Sequence, residues 1–180
     1  MNFAFFTELT RDEAYSFLSR YRQEGERELA RLAIELESRG VTVDYSTASI
    51  RDAFGSVAGQ LSTIPTPPDP SLPSWILESE TYQVSRYRFA ESSYDSVVAL
   101  SIYFAEVLLR EAQGRLHWEI GSPEVAVQNQ PCLGGFRNGV QMAPLLVTEN
   151  LLRRIVETPD PAVLEDVTRA VATWQDLIAA

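Results

Sequence analysis

Residues 94–113 read YDSVVALSIYFAEVLLREAQ, and this run constrains the fold more than any other. Set on a helix at 100° per residue, its polar positions Asp95, Ser96, Glu106, Arg110 and Gln113 fall on one narrow stripe, beside Ala99 and Tyr103. Almost all the remaining circumference is apolar, so other elements must surround this helix on most sides. Ser92 or Ser93 is placed to cap it and Gly114 to end it. The spacing therefore predicts a core helix rather than a surface one.

The flanking sequence supplies the partners. Thr10 and Glu13 have the spacing of a capping box. They open a long helix whose apolar positions are Ala14, Phe17, Leu18, Tyr21, Leu29, Leu32, Ala33 and Leu36, with Gly40 as its stop. Gly25 lies on the same stripe, as expected at a close helix crossing or a kink. The stretch VTVDYS reads as a short strand or an extended lead, after which Ser46, Thr47 or Ser49 caps a helix to about Leu61. Gly55 and Gly59 share one face of that helix, which points to tight packing. Leu145, Leu146, Leu151, Leu152, Ile155 and Val156 mark a helix from Pro144. Asp160-Pro161 opens another, carrying Val163, Leu164, Val167, Val171, Trp174 and Ile178.

Between these helices lies RLHWEIGSPEVAVQNQPCLGGF, residues 115–136. RLHWEI, EVAVQN and PCLGGF read as three short strands. The expected class is α+β: several helices packed around a small, mostly C-terminal antiparallel sheet. The 180 residues are read as one domain, with a proline-rich loop at 63–73. A short helix is expected over 74–79, and residues 80–92 follow no single period. No apolar run approaches the ~18 residues of a membrane span, and the first residues lack a secretory signal. A cytoplasmic protein with no membrane contact is expected.

The inventory of chemical groups is thin. All fifteen basic residues are arginine, so chemistry that uses lysine, such as Schiff-base formation and P-loop phosphate binding, is excluded. The single cysteine forms no internal disulfide. One histidine and one cysteine are too few for a zinc site, and no EF-hand loop or dinucleotide fingerprint occurs. No cofactor is expected. His117 and Cys132 could meet on neighbouring strands as a nucleophile–base pair, with Glu106 the other candidate base. Alternation turns His117 and Glu119 away from Trp118, toward water if Trp118 faces the core. Cys132 is read as a small apolar residue.

The net charge of −10 disfavours nucleic acid as a partner and suits a basic protein. Asp44, Asp52, Asp69, Glu78 and Glu80 face Arg51 alone over residues 41–80. These five acids, with Trp75 as an aromatic anchor, are the candidate partner-binding residues. Asp44, Tyr45, Ser46 and Ser49 at a helix start, Tyr103 and Glu106 in the apolar helix, Trp118 in a strand and Pro144 before a helix together resemble a loose pattern in uncharacterised bacterial proteins. Ala105 stands where that pattern has glycine. Some of those proteins are immunity-like, which implies a non-enzymatic inhibitor of a basic partner. The alternative is a small hydrolase using Cys132 and His117, or Glu106.

Overall fold

The computed structural model describes residues 4–66, 87–158 and 160–178. The helices are α1 (Ala4–Glu8), α2 (Arg11–Ser38), α3 (Thr47–Ala58), α4 (Tyr94–Ala112), α5 (Pro144–Glu157) and α6 (Pro161–Asp176). Strands β1 (Thr63–Pro65) and β2 (Tyr87–Phe89) form one antiparallel pair, and β3 (His117–Ile120) and β4 (Pro131–Gly134) another. The fold is α+β.

The helices gather around α4 rather than around a sheet. α2, α3, α5 and α6 all pack on it, α2 most extensively. Val97, Leu100, Phe104, Ala105 and Leu108 have no exposed surface. By length and composition this helix is apolar enough to cross a membrane, yet most of its apolar stretch is buried inside the protein. Even the polar stripe is covered at its middle, where Tyr103 is fully buried while Asp95 and Arg110 are exposed.

The ends of α2 follow from its sequence. Thr10 Oγ1 accepts from the Glu13 N–H, and the Glu13 carboxylate accepts from the Thr10 N–H. At the other end the Gly40 N–H donates to the Glu37 carbonyl and the Val41 N–H to the Leu36 carbonyl, with Gly40 at φ 79°. That is a Schellman stop, which needs the left-handed conformation glycine adopts without cost. Midway, a Cβ on Gly25 would lie 2.4 Å from Ile102 Cγ1. Gly25 is therefore a crossing point of α2 over α4, not a kink. Gly55 faces Leu164 of α6, whereas Gly59 lies exposed past the end of α3.

The expected single C-terminal sheet is two separate hairpin-like pairs. Part of the proline-rich stretch is strand: Thr63–Pro65 pairs with Tyr87–Phe89. In a two-stranded sheet both strands are edges, where proline is tolerated. The stretch 41–46 forms no strand: residues 44–46 bend into α3, with Tyr45 at φ 65°. EVAVQN is not a strand. The Gly121 N–H donates to the Gln130 carbonyl and the Asn129 N–H to the Gly121 carbonyl, so the hairpin closes there and residues 122–128 form its loop. Asn129 Nδ2 and Arg11 tie this region to the start of α2 through the carbonyls of Leu9, Gly121 and Ile120. The short helix expected over 74–79 lies outside the described residues.

Candidate functional site

The β3–β4 register sets Glu119 opposite Cys132 and His117 opposite Gly134. Direct antiparallel partners share a face, so Glu119 stands beside the thiol. Cys132 is fully buried. Burial foremost, and then the Glu119 charge, push its pKa up to about 12, against a smaller opposing effect of the Gly121 backbone. At neutral pH the sulfur is a thiol, not a nucleophile. His117 Nε2 lies 3.4 Å from Glu119 Oε2 with the imidazole 61% exposed. Glu119 Oε1 in turn accepts from Gln141 Nε2 at 2.6 Å, and Gln141 Oε1 accepts from the Ser122 N–H at 2.8 Å. Glu119 thus binds the hairpin to the loop after β4, a structural use of the carboxylate. Trp118 turns to the opposite face, in edge contact with Tyr21.

A second constellation forms where residues 41–46 cross α4. Tyr45 adopts φ 65°, a left-handed conformation uncommon for a bulky side chain. Its N–H donates to Tyr103 Oη at 3.1 Å, and Tyr103 Oη lies 2.6 Å from Ser49 Oγ. The Tyr45 ring meets Tyr103 edge-on at 5.1 Å, and the Arg110 guanidinium sits 3.5 Å above it. Asp44 Oδ1 accepts from the Ser46 N–H, while Ser46 Oγ caps α3 through the Ser49 N–H. The Ser46 and Ser49 side chains, then the Ser46 N–H, hold the exposed Asp44 carboxyl down at about 2.

Tyr45 also lines a groove of about 270 Å³ between α2 and α4. Leu29, Ala30, Ala33 and Ile102 line it, and Glu26 and Glu106 contribute one carboxylate from each helix. Across Tyr45 and Arg110 lies a more polar cavity of about 350 Å³, reaching Gln113 and Gln175. The groove falls below the ~300–1,000 Å³ of small-molecule pockets. It admits a side chain more readily than a cofactor. Among the described residues no three His, Cys, Asp or Glu side chains gather as a metal site.

Of the other candidates, Glu106 Oε2 lies 3.9 Å from Arg110 Nε with its side chain 32% exposed. Asp52 is held by Arg51, which also reaches Glu165 of α6. Asp69, Glu78, Glu80 and Trp75 lie outside the described residues. Asp44, Tyr45, Ser46, Ser49 and Tyr103 come together where residues 41–46 meet α4, and Tyr45 and Glu106 line the groove. Trp118 and Pro144 do not join them. Glu26 and Arg110 belong to the constellation without having been singled out for it: both read as ordinary charges on helix surfaces.

Comparison with known protein families, known proteins and solved structures finds no match to this chain.

Proposed function

We propose that this chain is a non-enzymatic binding protein that captures a basic protein partner in the cytoplasm, in the manner of an immunity-like inhibitor. The observation that carries the reading is the α2–α4 groove, apolar along its length and bordered by the Glu26 and Glu106 carboxylates, on a molecule of net charge −10. Opposite charge would speed encounter, and the apolar contacts would slow escape. The resemblance points the same way through two of its residues, Tyr45 and Glu106, which line the groove. A hydrolase draws no comparable support: the one thiol is buried, with its pKa pushed up, and Glu106 lies near Arg110 with, among the described residues, no serine, cysteine or histidine lining the same groove.

The test begins with capture of partners on the tagged protein at low and at high salt. Kinetics follow with the partner identified and purified. Association should slow as salt rises, because exposed charges are screened beyond ~8–10 Å at physiological ionic strength. Reversing Asp44 and Asp52 to arginine should slow association further and change dissociation little. An association rate indifferent to both salt and charge reversal would reduce the acidic balance to a solubility feature.

A further inference from the structure

We propose that the groove between α2 and α4 is a socket for one arginine side chain of a basic protein segment. This rests on reading the chain as a module for a basic partner, and it names the contact.

Two carboxylates border the groove, and each is only loosely paired with its nearest arginine. Arg22 Nη2 stays 3.9 Å from Glu26 Oε1, and Arg110 Nε stays 3.9 Å from Glu106 Oε2. Both guanidinium groups lie over aromatic rings instead: Arg22 at 5.9 Å from Trp118, Arg110 at 3.5 Å from Tyr45. Among the described residues neither carboxylate accepts a hydrogen bond from the protein, so water holds their acceptor sites and an outside donor can replace it. Charge-assisted, bidentate donation from a guanidinium is the strongest way to fill it.

Between the two carboxylates the wall is aliphatic. Leu29, Ala30, Ala33 and Ile102 offer no polar side-chain atom. That surface suits the methylene stem of a long cationic side chain, whose head stays at the carboxylates. Tyr45 also lines the groove. One face of its ring carries Arg110, and contact with the remaining ring surface favours arginine over lysine, because a planar guanidinium packs against an aromatic better than an ammonium does. The α2 surface next to the groove carries Ile34, 71% exposed. It lies four residues after Ala30 and so continues the same strip, offering an apolar contact beside the arginine.

The probe is N-butylguanidinium chloride, titrated to high millimolar concentration into methyl-labelled protein and followed by NMR. The expected result is a saturable shift of the Leu29, Ala30, Ala33 and Ile102 methyl signals. Butylammonium should give a weaker response and pentanol none that saturates. In Glu26→Gln/Glu106→Gln the affinity should fall roughly three- to tenfold, the range for two exposed ion pairs. Glu8→Gln/Glu124→Gln, which removes the same charge elsewhere, should leave it unchanged. An amide spectrum shows whether the double variant keeps its fold; if it does not, Glu26→Gln alone carries the comparison.

The socket is overturned by no saturable shift, by an equal response to pentanol or butylammonium, or by indifference to loss of the two carboxylates. Its failure is separable from that of the wider reading. If a basic partner still binds Glu26→Gln/Glu106→Gln with unchanged salt-sensitive kinetics, the groove is wrong and the acidic module stands. If association with the partner is insensitive to salt, the module itself is wrong.

Discussion

Cys132 shows how little a residue type says before its surroundings are known. The sequence sets one cysteine and one histidine fifteen positions apart, a spacing open to catalysis. The hairpin then buries the thiol beside a carboxylate, and both effects oppose ionisation. Labelling of the native protein by a thiol reagent at neutral pH should be slow, and denaturant should accelerate it by opening the hairpin. Fast labelling of the folded protein would revive the nucleophile. Asp44 is the opposite case. It is exposed, yet donors from Ser46 and Ser49 favour its charged form and lower its pKa from 3.8 to about 2. A depressed folded pKa stabilises the fold above the unfolded value, and that contribution is lost as pH falls from about 4 through about 2. The Asp44 carboxyl carbon, followed by NMR, should titrate near the lower end of that range, and Ser49→Ala should raise its midpoint. A midpoint at the ordinary value would detach Asp44 from the α3 cap.

At the scale of elements, the crossing of α2 on α4 is the decisive contact. Gly25→Ala tests it because two opposed effects differ in size. Alanine gains about 1 kcal/mol of helix propensity over glycine, whereas overpacking a filled crossing costs ~1–3 kcal/mol. The new methyl would meet Ile102 Cγ1 at 2.4 Å, too close for a side chain held at its base to avoid. Gly25→Ala should therefore melt below the wild type. In an Ile102→Ala background the same change should become neutral or favourable, since the obstructing atom is gone. A stabilising effect in the wild type would place α2 farther from α4. Helix starts and stops were legible from local chemistry: the Thr10 box, the Gly40 stop, Pro144 and Asp160-Pro161 all act where their residues stand. EVAVQN was misread for a physical reason. Alternating apolar residues make a strand only when a neighbouring strand takes up their backbone groups, and here the Gly121–Gln130 closure leaves them as a loop.

Across the whole molecule, α4 joins every larger helix, so damage to it should be felt globally. Leu108 is fully buried in its apolar face, and Leu108→Ala should cost about 2–5 kcal/mol. Far- and near-ultraviolet circular dichroism should lose signal together at a lower temperature. A local loss in one signal only would make α4 peripheral. The sequence by itself determined the class of the fold, the ends of most helices, the burial of α4 and the poverty of catalytic groups. Each of these depends on periodicity, capping or inventory, which are properties of neighbouring residues or of the whole list. Tertiary structure decided the rest: that α4 and not a sheet forms the centre, that the sheet is two separate pairs, and that Tyr45, Glu106 and Glu26 line one groove. A groove lined by residues as far apart as Glu26 and Glu106 has no local signature. Nor does the left-handed backbone of Tyr45, because nothing in a tyrosine's neighbours announces a conformation supported by the Tyr103 hydrogen bond and the Arg110 stack.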